Sequence, residues 1–166
     1  SENMYFVDVD EREFGVKPMN CPAHALMYLA DSHSYRELPM RWADFGRLHR
    51  NERSGVTHGL MRVRSFVQDD AHIFCMLDQI GSEVLSFLDM VDESFAALGF
   101  ANYRFELSLR PEKRVGSDEM WDKAEAALTE ILHSTGKKYS TEAGEGAFYG
   151  PKIDIFVPDA IGRDWQ

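Results

Sequence analysis

The sequence predicts an α+β domain built on an antiparallel β-sheet that is flanked by helices. Short segments alternate polar and apolar residues as strands do, and two of them surround an acidic turn as hairpin strands do. One longer segment repeats apolar residues at steps of three and four, which is typical of an amphipathic helix. With 166 residues, of which 44% are hydrophobic, the chain suits one globular domain with a sizeable core.

The first half of the chain predicts four strands and one helix. Pro22 opens the helix, which runs to about Asp31, because proline is favoured in a first helical turn. Residues 51–59 (NERSGVTHG) are polar and contain glycine, so they predict a loop between two longer strands. The predicted strands are residues 4–9, 13–16, 40–49 and 60–72.

The second half predicts two helices and two strands. The first helix covers residues 77–98 and ends at Gly99, and Ser117 caps a second helix that runs to about His133 and closes at Gly136. Residues 103–109 and 152–157 are the predicted strands. The apolar stripe of the first helix consists of Ile80, Val84, Phe87, Leu88, Val91 and Phe95.

Charge is distributed unevenly along the chain. The net charge of −10 argues against a general nucleic-acid binder, which needs clustered basic residues. Residues 36–64 are the exception, because their only acidic residues are Glu37, Asp44 and Glu52. This local basic patch predicts a site for a particular anion. Its arginines are Arg36, Arg41, Arg47, Arg50, Arg53, Arg62 and Arg64.

The composition predicts a cytoplasmic location. No apolar run approaches the roughly 20 residues that span a bilayer. Residues 1–10 are acidic and lack the basic segment of a signal peptide. Cys21 and Cys75 are too few for a disulfide framework, so a reducing compartment is expected.

The predicted strand 60–72 has two different faces, because side chains alternate along a strand. The first face combines guanidinium, aromatic, amide, carboxylate and imidazole groups, a mixture that a solvated strand without a function seldom carries. The second face is mostly small or apolar and can pack on helices. The first face consists of Arg62, Arg64, Phe66, Gln68, Asp70 and His72, and the second of Met61, Val63, Ser65, Val67, Asp69 and Ala71.

The first face suits a nucleotide and a small polar ligand. Arginine binds two phosphate oxygens at once, and phenylalanine stacks on a base. Gln68, Asp70 and His72 can receive a polar substrate or a metal. If the preceding strand pairs with this one, Arg50 adds a phosphate contact and Glu52 accepts a hydrogen bond from an exocyclic amine.

Several segments resemble one enzyme family. Residues 45–52 (FGRLHRNE) with 62–66 (RVRSF) resemble motif 2 of class II aminoacyl-tRNA synthetases, which would occupy about residues 41–68. Four segments are similar to the threonyl-tRNA synthetase family in particular, and the resemblance covers essentially the whole chain. They are KPMNCPAH (17–24), HGLMRVRSFVQDDAHIFC (58–75), RPEKRVGSDEMW (110–121) and EGAFYGPKID (145–154).

The resemblance implies threonine activation with ATP and Mg²⁺, followed by transfer to tRNA(Thr). Arg50 and Lys152 match the catalytic residues, which act on the α-phosphate and the transferring phosphate. Glu52 matches the group that meets the adenine amine, Phe66 the ring that stacks on adenine, and Arg62 a phosphate contact. The loop at 53–58 would approach the tRNA acceptor end.

The resemblance also implies a zinc ion that binds threonine through its amine and hydroxyl. Cys21 and His72 match two of its three protein ligands. The positions that match threonine-binding residues are Met19, Gln68, Asp70 and Tyr149, of which Gln68 and Asp70 hold the amine and Met19 and Tyr149 form pocket walls.

Taken singly, these residues have simpler interpretations. Cys21 alone is more often a buried, inert thiol, and His72 alone a structural histidine. His24, His33 and His133 are assigned structural roles, and Lys152 alone is a surface lysine. The alternative functions are another class II synthetase, such as the prolyl or seryl enzyme, a non-catalytic synthetase-like module that binds zinc or ligand, and a structural zinc domain.

The family's motif 1 precedes the matched residues, and motif 3 and the third zinc ligand, a histidine, follow them. We therefore expect an internal part of the catalytic domain, with an incomplete sheet, from a longer protein that is a homodimer. We also expect this part alone to be inactive and to bind zinc poorly. Ala23 stands where the family usually has glycine, which can alter the backbone next to Cys21.

Overall fold

The computed structural model describes residues 3–166, so the first two residues of the acidic start lie outside the described part. The chain forms two compact units, one ending at Met76 and one covering Leu77–Gln166. Both units mix strands and helices, which confirms the α+β class. None of the helices within residues 3–166 has the length and apolar character needed to cross a bilayer.

The first unit begins with the predicted hairpin. Strands β1 (Phe6–Val9) and β2 (Arg12–Gly15) are antiparallel. Asp10 and Glu11 form the turn with φ values of 49° and 61°, as a two-residue hairpin loop of mirror-image type requires. Helix α1 (Cys21–Ala30) follows, with proline in its first turn as predicted. Ala23 lies within the regular part of α1, so alanine is accommodated there.

The two longer strands predicted in this unit are each interrupted, so the prediction of continuous strands at 40–49 and 60–72 is wrong. The first divides into β3 (Met40–Asp44) and β4 (Arg47–His49). The second contains β5 (Ser65–Val67) and β6 (Asp70–Phe74), and residues 60–64 precede it as turn and irregular chain. β3 pairs with β6, and β4 with β5, both antiparallel.

The interruption occurs at the same level in both strand-forming segments. Asp44 lies opposite Asp70 at one side of it, and Arg47 lies opposite Val67 at the other. Gly46 occupies the gap, and the Lys17 amine lies only 2.6 Å from the point where a Cβ atom would stand on Gly46. The ladder therefore opens where a lysine from before α1 approaches the backbone, which local sequence patterns do not reveal.

The second unit is a four-stranded sheet that packs against two helices. The helices are α2 (Ile80–Leu98) and α3 (Asp118–Thr135), and both end at glycines in the left-handed conformation, as predicted. The strands are β7 (Arg104–Ser108), β8 (Tyr139–Glu142), β9 (Lys152–Pro158) and β10 (Asp164–Trp165), in the order β10-β9-β7-β8. The core contains Leu88, Phe105, Leu107, Ile131 and Leu132.

The sequence did not predict β8 and β10. β8 reads Tyr-Ser-Thr-Glu and has no apolar alternation, and β10 has only two residues. β8 pairs with β7 in parallel, while the other pairs of this sheet are antiparallel. The parallel pair follows from the connection through α3, which returns the chain to the same end of the sheet.

Candidate functional site

The predicted row of functional side chains exists from Phe66 to His72. Phe66, Gln68, Asp70 and His72 are partly buried, and the residues between them are exposed, so the alternation continues across the interruption between β5 and β6. Val67 of the opposite face is 53% exposed, so the packing of that face on helices stays a prediction. The row from Phe66 to His72 is thus on the face that the rest of the first unit partly covers.

Arg50 joins this row, as the expected pairing of the two strands implies. Its backbone N–H donates to the carbonyl oxygen of Arg64 at 2.9 Å, which extends the ladder of β4 and β5 by one residue. Its guanidinium carbon lies 5.0 Å from the centre of the Phe66 ring, and its Nε donates to the carbonyl oxygen of Pro18 at 3.2 Å. The aromatic face and the carbonyl together fix the direction of the guanidinium.

Glu52 is held by two arginines beside this row. Arg62 donates to Oε2 of Glu52 from Nε and Nη2, at 3.3 and 3.1 Å. Arg64 donates to the backbone oxygen of Glu52 at 3.1 and 2.9 Å, a role that the sequence analysis did not assign. Because the Arg62 side chain is 59% exposed, this ion pair contributes only about 0–1 kcal/mol. A phosphate can therefore replace the carboxylate at Arg62 at low cost.

Asp70 is connected to two residues that precede α1. Asn20 donates from Nδ2 to Oδ2 of Asp70 at 3.1 Å, and its own Oδ1 accepts from Lys17 Nζ at 2.9 Å. Lys17 also contacts Oδ2 of Asp44 at 3.2 Å. The sequence analysis missed Lys17, Asn20 and Asp44. The signal was Asn20 before a helix, but asparagine there is ordinarily a helix cap.

His72 faces His24 rather than solvent. The two Nδ1 atoms are 2.7 Å apart, so one ring donates its proton to the other. His24 is 6% exposed and contacts Trp42 edge to face, with ring centres 6.1 Å apart. From the sequence, His24 was assigned a structural role. Its contact with His72, a predicted metal ligand, was not anticipated.

Cys21 and His72 are chemically suitable zinc ligands, but two ligands are too few for a zinc site. Cys21 is exposed at the first position of α1, and His24 follows three residues later on the same helix face. Since Nδ1 of His72 faces His24, Nε2 is the nitrogen left for a metal, and thiolate and imidazole are both zinc ligands. Within residues 3–166, no three His, Cys, Asp or Glu side chains are grouped closely enough to hold a metal.

The remaining predicted residues lie in less enclosed places. Met19 is 44% and Tyr149 69% exposed, and Tyr149 borders a shallow pocket with Trp121 in the second unit. Lys152 Nζ contacts Oδ2 of Asp154 at 2.6 Å. Asp154 is 7% exposed and also accepts a hydrogen bond from Ser108, so the lysine charge is balanced from within its own sheet. The binding roles of Met19, Tyr149 and Lys152 stay predictions.

The arginines at 110–114 have structural partners. Arg110 contacts Glu125 through Nε at 3.0 Å and also contacts Asp122, while Arg114 pairs with Asp118. The hydrogen bonds from Arg110 lower the pKa of Glu125. These contacts anchor the segment to α3.

The fold and the row of side chains on β5 and β6 define the class of protein. The family described as tRNA synthetase class II core domain (G, H, P, S and T) matches residues 5–166, and the chain belongs to this family.

Within it, the chain is 54% identical over 165 residues to a threonine–tRNA ligase of Bdellovibrio bacteriovorus, covering 99% of this chain and 25% of that protein. It is 55% identical over 166 residues to the threonine–tRNA ligase of Thermotoga maritima, covering 100% of this chain and 26% of the relative. The chain thus spans about a quarter of the length of the curated relatives that it matches.

Solved structures show the same similarity. The RNA binding domain of threonyl-tRNA synthetase from Cryptosporidium parvum superposes with a TM-score of 0.94 at 51% identity, over 99% of this chain and 41% of that one. A putative threonyl-tRNA synthetase from Aeropyrum pernix gives a TM-score of 0.89 at 34% identity, over 99% of this chain and 40% of the other. The similarity therefore covers almost the whole length of this chain.

Proposed function

We propose that the protein carrying this chain activates threonine with ATP and transfers it to tRNA(Thr). The observation that carries this proposal is the single row of Phe66, Gln68, Asp70 and His72, with Arg50 stacked on its aromatic end. One end of the row suits adenine and phosphate, and the other suits an amine and a metal. The identity to threonine–tRNA ligases supports the choice of amino acid.

The nucleotide end orients ATP for attack at its α-phosphorus. Phe66 stacks on adenine, Glu52 accepts from the adenine amino group, and Arg50 and Arg62 bind phosphate oxygens. A carboxylate oxygen of threonine then bonds to the α-phosphorus while the bond to the bridging oxygen breaks, releasing pyrophosphate. Arg50 stabilises the charge that develops on the α-phosphoryl oxygens, and the family resemblance assigns the same role to Lys152. Mg²⁺ bound with ATP would neutralise further phosphate charge.

The amino-acid end holds threonine by its amino group. Asp70 provides the negative charge, Gln68 a second polar contact, and Met19 and Tyr149 the walls. Cys21 and His72 would hold zinc, together with a ligand from another part of the protein. When bound, zinc supplies a Lewis-acid centre that takes the amine and the hydroxyl of threonine. Valine lacks that hydroxyl, which gives the basis for its rejection.

Transfer is the second half of the proposed reaction. A hydroxyl of the terminal ribose of tRNA attacks the threonyl carbonyl, and AMP leaves. The exposed loop at 53–58, which carries Arg53 and His58, approaches the acceptor end. The whole protein acts in the cytoplasm as a homodimer, in keeping with the family that the chain resembles.

Amino-acid-dependent pyrophosphate exchange tests the proposal. The purified protein that carries this chain is supplied with ATP, labelled pyrophosphate and one amino acid at a time. Threonine is expected to support exchange, and proline is not. Serine has the hydroxyl, so its rejection depends on pocket shape and on separate editing, and exchange with it should be weaker. Exchange that responds best to proline or serine would assign the site to another class II synthetase, and no exchange with any amino acid would indicate a non-catalytic module.

A further inference from the structure

A polar network lies behind Asp70, and its other members, Asp44, Lys17 and Asn20, have no role in the proposed reaction. It runs from Asp44 through the Lys17 amine to the Asn20 amide and ends on the Asp70 carboxylate. Asn20 is fully buried, with an exposure of 0%. A buried amide contributes favourably only when its donors and acceptors are satisfied, so its partners determine its direction.

The orientation of the Asn20 amide follows from chemistry. Lysine has three N–H donors and no acceptor, so the Asn20 atom that faces Lys17 is the oxygen. The amide nitrogen therefore faces Asp70 and donates to Oδ2 at 3.1 Å. An ionised Asp70 accepts this hydrogen bond, and Oδ1 stays outside it. Lys17 thus acts on Asp70 through Asn20 by fixing which end of the amide the carboxylate meets.

Asn20 makes this contact in place of a helix cap. It precedes α1 at the capping position, yet its side chain makes no capping hydrogen bond. Such a cap typically stabilises a helix by about 1 kcal/mol. The side chain instead points to a residue 50 positions further along the chain. Asn20 thus gives up a contact that would stabilise α1 and instead binds Asp70, a predicted substrate-binding residue. This favours a positioning role for Asn20.

Gly46 leaves the space that the network occupies. A Cβ atom on this residue would lie 2.6 Å from Lys17 Nζ, 2.7 Å from Oδ2 of Asp44 and 2.9 Å from Oδ1 of Asn20. All three distances are shorter than real Cβ contacts. Any side chain at position 46 must therefore displace the lysine or the asparagine, which gives a way to disturb the network from the backbone side.

We propose that Asn20 and Lys17 are positioning residues that orient the Asp70 carboxylate toward the amino group of the amino-acid substrate. This inference rests on the proposed function, in which Asp70 holds that group. Asn20 fixes Oδ2 and thereby the plane of the carboxylate, so that Oδ1 is presented to the substrate. The network acts on amino-acid binding and not on ATP, because it ends on Asp70 and does not contact Arg50 or Phe66.

The test uses Asn20→Asp in the protein that carries this chain. This isosteric change keeps an oxygen toward Lys17 and replaces the donor to Asp70 with a second oxygen. Losing a hydrogen bond to a charged group predicts a threonine KM in pyrophosphate exchange that is about ten- to hundredfold higher. The KM for ATP should change by less than about twofold, because the network does not contact the ATP-binding residues Arg50 and Phe66. Asn102→Asp, at an exposed asparagine of the second unit, is the matched control.

Two further variants keep the test decisive if Asn20→Asp folds poorly. Lys17→Met removes the charge that fixes the amide, and Gly46→Ala displaces the same atoms from the opposite side. Lys17→Met should raise the threonine KM selectively while the melting temperature stays near that of the wild type. Gly46→Ala should raise the threonine KM selectively as well, with a lower melting temperature because its Cβ displaces these atoms. An unchanged threonine KM, or an equal rise for threonine and ATP, would overturn the inference and leave the network a structural one.

Failure of the proposed function is distinguishable from failure of this inference. If the wild-type protein exchanges only with another amino acid, the threonine assignment is wrong. The network is then tested by the KM of that amino acid, since every amino acid, proline with its secondary amine included, has an α-amino group that donates to a carboxylate. A selective KM rise for it in Asn20→Asp supports the inference, and no rise overturns it.

Discussion

Replacing Phe66 should weaken ATP binding without affecting threonine binding. The ring lies on the partly buried face of β5, directly across from Leu48, which has an exposure of 0%. Its stacking on adenine is worth about 1–3 kcal/mol by comparison with other base–aromatic contacts. That range corresponds to a Kd for ATP that is roughly 5- to 150-fold higher. The Phe66 ring also contacts the Arg50 guanidinium, at 5.0 Å from the ring centre. Loss of that contact frees the orientation of Arg50 and should weaken ATP binding by up to about 1 kcal/mol more.

The choice of variants separates stacking from packing. Phe66→Ala removes the aromatic face and also uncovers Leu48, so it lowers stability as well. Phe66→Leu retains the apolar cover and loses only the aromatic face, and Phe66→Tyr retains both. Val67→Ala, on the exposed opposite face of the same strand, is the control for general effects. Isothermal titration calorimetry with ATP gives the Kd of each variant.

The expected order of ATP affinity places the wild type and Phe66→Tyr together, well above Phe66→Leu and Phe66→Ala. Val67→Ala should match the wild type. An unchanged Kd in Phe66→Leu would refute the reasoning, since that variant loses the aromatic face and little else. Phe66 would then belong to the packing of β4 and β5 and not to the nucleotide site.

Three other changes test other parts of the account. Arg50→Ala should lower kcat for pyrophosphate exchange by about 10²–10³-fold, the range found for lost transition-state donors, with a smaller effect on the threonine KM; an equal effect on both would contradict a role at the α-phosphate. His24→Phe removes the Nδ1 partner of His72 and should lower zinc affinity about 10–100-fold in chelator competition, whereas full affinity would show that His24 does not orient the ligand. Glu125→Gln concerns stability: Arg110 lowers the pKa of Glu125 below its ordinary 4.5, so the charged form stabilises the fold above that pH and this stabilisation is lost as pH falls through the lowered pKa. Thermal melts should therefore show the variant less stable than the wild type at neutral pH and nearly equal in strong acid, and a constant difference would contradict the pairing.

Local signals were sufficient to predict most elements of the fold. The helix from Ile80 to Leu98 has a strong apolar period and a terminal glycine, and Ser117 caps α3 by accepting from the N–H of Met120. The hairpin β1–β2 follows from two alternating segments around a turn. Each of these features depends on residues within a few positions of one another.

Contacts between distant residues account for what was missed. The interruption between β3 and β4 depends on Lys17, which approaches Gly46 from 29 positions earlier in the chain. β8 has a polar sequence and forms because it can pair with β7 after a helical crossover. Neither signal exists in a short window of sequence, so alternation alone predicted continuous strands and no strand at β8.

In the candidate site too, local patterns were predictable from the sequence and contacts between distant residues were not. The row from Phe66 to His72 is a property of strand alternation, and it persists although two strands form it instead of one. The pairing of Arg62 with Glu52 and the contact of Asn20 with Asp70 are tertiary contacts. The sequence predicted which residues share a face, and only the structure reveals how they are held there.

Threonine and valine differ at the group that the proposed zinc site recognises, so their comparison tests the central claim most directly. The measurement is kcat/KM for pyrophosphate exchange with each amino acid, in the wild-type protein that carries this chain and in Cys21→Ser. A site built to bind a hydroxyl rejects an analogue that lacks it by about 10⁴-fold or more, which is the preference for threonine predicted for the wild type. Cys21→Ser should lose most of this preference together with its zinc. Equal exchange with valine and threonine in the wild type would contradict recognition of the hydroxyl through Cys21 and His72.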